Sequence, residues 1–135
     1  MIAKNIKITI TRMRKPREEN LNDELQWFFQ SLGIFGNRDK NKSCFRTVIV
    51  LLRSLRHDEG LTSDEISEKV SLSRGTVIHH LHNLIGSGLV VNDRNRYMLR
   101  VDNLKELVDE VEQDIYKTMT ELRKVAEEMD KKLEL

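Results

Sequence analysis

Apolar residues recur along this chain with two periods, one of two residues and one near three and a half. Ile6, Ile8 and Ile10 alternate with Lys7, Thr9 and Thr11, the spacing of a half-buried strand. Asn20 can open a helix whose apolar side carries Leu21, Leu25, Phe28, Phe29 and Leu32, with Gly33 as its stop. A polar loop over 37–43 follows. Beyond it a second helical pattern puts Phe45, Val48, Ile49, Leu52 and Leu55 inward.

The stretch over 61–100 carries the strongest local signals. Thr62 and Glu65 form a capping-box pair, opening a short helix with Ile66 and Val70 on its inner face. After Ser71 and Leu72, Ser73 caps another helix with Val77, Leu81, Leu84 and Ile85 inward, ended by Gly86 and Gly88. Leu89-Val90-Val91 and Tyr97-Met98-Leu99 then predict two strands around a polar tip from Asn92 to Arg96.

From Leu104 onward the pattern changes to heptads. Leu104, Val108, Val111, Ile115, Leu122, Val125 and Met129 form an a/d seam broken at Thr118, widened by Leu107, Met119, Ala126 and Leu133. About 30 helical residues at roughly 1.5 Å each give a rod near 45 Å long, with more apolar surface than one small domain covers. A dimer interface is the leading reading of this stripe, and a helix folded back on its own domain is the other. The expected organisation is a strand, basic connector and helix over 1–43, a core domain over 44–101, and a dimerisation helix over 102–135.

The residues over 44–101 resemble the winged helix-turn-helix of the ArsR and MarR groups of prokaryotic regulators and, more loosely, their archaeal relatives. The likeness rests on LTSDEI at 61–66, LSRGTV at 72–77, HHL at 79–81 and GLV at 88–90. It implies a mainly helical fold with a small β wing and a second helix laid in a DNA major groove. Fold alone does not settle the ligand, because the same architecture also binds RNA and proteins.

The net charge of +1 conceals segregated charge. Residues 1–17 carry six basic and no acidic side chains, and 34–57 carry six basic against Asp39. Arg74, Arg94, Arg96 and Arg100 stand against Asp93 over 71–101, whereas 58–70 and 102–135 are net acidic. Polyanion binding needs a basic face, not a basic total. Nothing approaches the roughly 20 apolar residues of a membrane span, and the N-terminus lacks a signal peptide's apolar run, so a cytoplasmic protein is expected. The lone Cys44 excludes an internal disulfide and is expected to lie in the core at a helix start.

On the outward side of the second helix of the pair the spacing places Arg74, Gly75, Thr76, His79, His80 and Asn83. Ser73 and Thr76, at its N-terminus, suit a phosphate, while Arg74 can read guanine and Asn83 adenine. Gly75 lets the backbone approach closely, and the resemblance places readout on these same positions. Arg94 and Arg96 in the wing would reach phosphates or a minor groove, with Arg12, Arg14, Lys15 and Arg17 as an auxiliary basic arm. His79 and His82 share a helix face, yet no Cys or His partner lies nearby in sequence, so no metal and no cofactor is expected. No phosphate loop, HExxH, GxSxG or Cys/His nucleophile arrangement occurs, and no enzyme is expected.

Two functions compete at this stage. One is a homodimeric, sequence-specific DNA-binding regulator, whose two recognition helices address half-sites about one DNA turn apart. The other is a dimeric winged-helix module for structured RNA, such as the ribosome, or for a protein. The Ile-rich N-terminus, the basic connector and the Trp27-Phe28-Phe29 cluster favour the second, because a simple regulator requires none of them.

Overall fold

The computed structural model describes residues 7–17, 20–35, 39–56 and 59–135. Its helices are α1 (Leu21–Ser31), α2 (Ser43–Arg53), α3 (Ser63–Val70), α4 (Arg74–Gly86) and α5 (Leu104–Leu133). The strands β1 (Val90–Asp93) and β2 (Arg96–Leu99) form one antiparallel hairpin between α4 and α5. The chain divides into two units, Met1–Arg100 and Val101–Leu135.

Local hydrogen bonds explain where the helices of the first unit begin. Asn20 Oδ1 accepts the N–H of Asn22 at 2.8 Å and of Asp23 at 3.3 Å, satisfying two of the donors a helix start leaves free. Thr62 Oγ1 accepts the Glu65 N–H and Glu65 Oε1 accepts the Thr62 N–H, both at 3.1 Å, completing the expected capping box of α3. Ser71 takes a left-handed conformation to end α3, and Ser73 caps α4 two residues later by accepting the Thr76 N–H at 3.2 Å. The turn between the two helices is therefore three residues long and tightly held.

The core collects the predicted inner faces of α3 and α4. Ile66, Val70, Val77, Leu81 and Leu84 are buried, together with Phe29, Phe45, Val48, Leu51, Leu89, Val90, Tyr97 and Leu99. Fully burying each aliphatic side chain contributes roughly 1.5–3 kcal/mol, which holds α3 and α4 together. α2 buries Phe45, Val48 and Cys44 as expected, but its inner face differs at other positions. Cys44, Thr47 and Leu51 are buried, whereas Ile49, Leu52 and Leu55 are only half-buried. α2 sits among α3, α4 and β2, so its apolar face is wider than a single stripe. Thr47 is tolerated there because its hydroxyl donates to the Ser43 carbonyl at 2.9 Å.

Three further expectations change. The hairpin register pairs Val90 with Leu99 and Asp93 with Arg96, which shortens the tip to Arg94 and Asn95, at φ 53° and 65°. Positive φ at both central residues gives the turn whose twist matches that of the strands. Residues 7–10 form no strand; Ile8 is half-buried and Ile10 is 53% exposed. The N–H groups of this stretch go to helix ends instead. Lys7 donates to the Gly86 carbonyl at 3.1 Å and Thr11 to the Ser31 carbonyl at 2.8 Å, two acceptors that α4 and α1 leave unpaired. Leu21, expected on the apolar side of α1, is exposed at its first position, while Phe29 is the residue α1 buries. Ile6 and residues 37 and 38 of the expected loop lie outside the described residues.

The second unit is α5, which spans 30 residues. Asn103 Oδ1 caps it by accepting the Glu106 N–H at 2.8 Å. Leu107 is buried, and Leu104, Val111 and Ile115 are partly covered. Beyond Ile115 the seam is open, with Leu122, Val125 and Met129 each about half exposed. No helix among the described residues is long and apolar enough to cross a membrane.

Candidate nucleic-acid interface

The outer face of α4 is built by the inner one. With Val77, Leu81 and Leu84 locked in the core, the helical period turns Gly75, His79, His82 and Asn83 into solvent, with Thr76 at the edge, while Arg74 is exposed as the first residue of the helix. Arg74 Nε lies 3.5 Å from Asp64 Oδ1 on the neighbouring α3, and both side chains are well exposed. Such a surface pair is weak, so the guanidinium can exchange that carboxylate for another acceptor. A Cβ added at Gly75 would meet nothing within 4 Å. The fold itself therefore does not require glycine there, and the space before it is open.

The N-terminal hydroxyls of α4 are engaged with each other. Ser73 Oγ and Thr76 Oγ1 lie 2.8 Å apart while Ser73 also accepts the Thr76 N–H. One turn on, His79 Nε2 and Asn83 Nδ2 approach to 3.4 Å, forming a paired polar step on the exposed face.

Two predicted site residues, His80 on α4 and Arg96 in the wing, are engaged with other parts of the domain. His80 is half-buried and shares a 2.8 Å hydrogen bond with Ser43 Oγ on α2. Burial holds its imidazole below the usual histidine range, against the pull of Asp39 and with a smaller push from His79. His80 thus ties α4 to α2 instead of standing outward. Arg96 is the second such residue. Its Nη1 donates to the Gly60 carbonyl at 3.2 Å and lies 3.5 Å from Glu65 Oε1, bracing the hairpin base against the start of α3. Hydrogen bonds from Thr62 hold the Glu65 carboxyl below the usual carboxylate range. Arg94, by contrast, stands exposed at the wing tip.

The basic arm keeps its predicted side chains in solvent. Arg12, Arg14, Lys15 and Arg17 are all exposed, and the backbone between them is anchored by Trp27, whose Nε1–H donates to the Met13 carbonyl at 3.2 Å. Half-buried and bonded to the arm, Trp27 serves packing more than it offers a free stacking face. Among the described residues no group of His, Cys, Asp or Glu has metal-binding geometry. Cys44 is buried at the start of α2, and burial pushes its thiol up to about 12.

Asp39 is a residue that sequence reasoning missed. Its Oδ1 accepts the Cys44 N–H at 2.8 Å and its Oδ2 the Phe45 N–H at 2.9 Å, capping α2 from outside the helix. An Asp shortly ahead of an apolar run is the signal that could have revealed it.

A domain of this shape, with an exposed polar helix face beside a basic wing tip, fits one known type. Residues 46–91 match the winged helix-turn-helix DNA-binding family. The match runs from Arg46 in α2 through α3 and α4 to Val91 in β1, so it covers the recognition pair and the wing's first strand. Neither the curated proteins nor the solved structures contain a match to the chain. The arm, α1 and α5 lie outside the matched residues.

Proposed function

We propose that the protein is a homodimeric, sequence-specific DNA-binding transcriptional regulator. α4 enters the major groove, Arg74 and Asn83 read base edges, and Thr76 and His79 contact the strand beside them. Arg94 at the wing tip reaches a phosphate or the minor groove, while Arg12, Arg14, Lys15 and Arg17 add attraction to the backbone. Ser73 holds the helix start in place. The observation that carries this reading is the exposed His79 and Asn83 on the outer face of α4, with Arg74 exposed at its start, in a domain that matches a DNA-binding family.

The resemblance of 44–101 to ArsR- and MarR-type regulators supports a prokaryotic regulator of that kind. Dimerisation through Leu104, Val108, Val111, Ile115, Leu122, Val125 and Met129 follows from an apolar stripe left open along α5. Selection of bound sequences from a random duplex pool tests the reading. Enrichment of a palindrome with half-sites about one DNA turn apart is expected. A pool with no enriched sequence, together with co-sedimentation of the protein with ribosomes, overturns it in favour of RNA.

A further inference from the structure

The stretch over 7–13 is fixed to the domain at four points. Lys7 bonds to the end of α4 and Thr11 to the end of α1 through their backbone N–H groups, and Trp27 holds the Met13 carbonyl. The fourth point is Gly33. It has φ +68°, and a Cβ added there would lie 2.3 Å from the Thr9 carbonyl oxygen and 2.9 Å from Thr9 Cβ. Only glycine permits that approach of two backbones.

Held this way, the arm lines a cleft of about 1180 Å³ together with residues of α2 and of α4. Lys7, Arg46, His79, His82 and Asn83 bring donors to it. Asp39 is the only carboxylate among the described lining residues, and both its oxygens are occupied by the N–H groups of α2. Arg46 donates through Nη2 to the Val70 carbonyl, which fixes the guanidinium and leaves further N–H donors available. A cleft rich in donors and without an uncommitted carboxylate suits phosphoryl oxygens. His79, His82 and Asn83 belong both to the cleft lining and to the α4 face that the DNA-binding reading turns toward the groove, so a strand beside that face adjoins the cleft.

We propose that this cleft is a phosphoryl seat, filled by the DNA strand bordering the major groove that α4 occupies. Lys7, Arg46 and His82 contact its phosphates, and Gly33 positions the arm that completes it. The inference rests on the DNA-binding reading for its occupant, not for its chemistry, because a free organic phosphate offers the same oxygens.

The test uses the full chain and the duplex selected above. For wild type, Lys7→Gln and Gly33→Ala, the salt dependence of binding is measured on the unmodified duplex and on duplexes with single neutral methylphosphonates. Lys7→Gln is expected to lower the salt slope by roughly 0.9 and to leave sequence preference intact. A methylphosphonate at the seated position weakens wild type several-fold and has no added effect on Lys7→Gln. Gly33→Ala, with helix content checked by circular dichroism, gives the same loss and opens Arg12 and Arg14 to trypsin. A sequence-preferring complex whose slope and methylphosphonate sensitivity are equal in all three proteins overturns the seat. If wild type binds no duplex, the DNA reading has failed, and adenosine 5′-monophosphate is titrated instead. Saturable binding lost in Lys7→Gln then keeps the seat and removes the strand as its occupant, whereas no binding of the nucleotide overturns both.

Discussion

Single residues at the α2–α4 junction carry chemistry that can be read in solution. The His80 imidazole lies below its ordinary range because burial disfavours the charged form. An unfolded chain therefore takes up this proton first, near pH 6.5, and the native state is destabilised as pH falls through that value. The loss levels off below the native pKa. Urea midpoints from pH 7.5 to 5 should accordingly fall more steeply for wild type than for His80→Gln, which can keep the bond to Ser43. Parallel curves for the two proteins would show that His80 does not sense its burial. Cys44 makes an independent check. With its thiol pushed up to about 12, it has almost no thiolate at neutral pH. Alkylation by iodoacetamide at pH 8 should be negligible in the native protein and rapid in urea, and fast native modification would contradict the buried position.

At the scale of elements, the wing and the recognition helix make separable demands. Arg94 sits at φ 53°, where a side chain is strained and glycine is not. Arg94→Gly should remove the charge without weakening the hairpin, so any loss of DNA affinity reports the charge alone. It should be similar on selected and random duplexes and should reduce the salt slope by about one. Arg74→Ala and Asn83→Ala act on the other term. Each should cost roughly 1–3 kcal/mol on the selected duplex and much less on a random one, measured by competition binding. Equal losses on both duplexes would place these side chains on phosphates. The elements themselves were legible because caps and periods are local. Thr62 with Glu65, Ser73 and Asn20 all bond within three residues of themselves, and the inner line Val77, Leu81, Leu84 follows from the helical period alone. α2 was less legible, because a helix buried on several sides has no single stripe to find.

For the whole molecule the deciding feature is the exposed apolar face of α5. Val108, Leu122, Val125 and Met129 are exposed apolar residues of the row, and Thr118 interrupts it with a hydroxyl already tied to the Asp114 carbonyl at 3.0 Å. The polar break is thus internally satisfied and compatible with a paired seam. Replacing both Ile115 and Leu122 with Lys should give a folded monomer. Each lost aliphatic contact forfeits roughly 1.5–3 kcal/mol, and a charge in the seam adds a desolvation penalty. Sedimentation should show a dimer for wild type and a monomer for the variant; a monomeric wild type, or an unaltered dimer, rejects this interface.

The sequence by itself determined the winged-helix core, its caps, the inner face of α4, the hairpin and the heptad row of α5. Each of these depends on residues a few positions apart, where hydrogen-bond reach and side-chain period leave little choice. The tertiary structure decided which of the nominated polar residues remain free. His80 meets Ser43 across 37 positions and Arg96 meets Gly60 across 36, so both turn from the expected surface to structural bonds. It also decided the fate of Ile8 and Ile10. An alternating pattern specifies a strand only where a partner strand exists, and here the backbone donors of Lys7 and Thr11 found the unpaired carbonyls of two helix ends. No local pattern encodes that choice, since it depends on where α1 and α4 end in space.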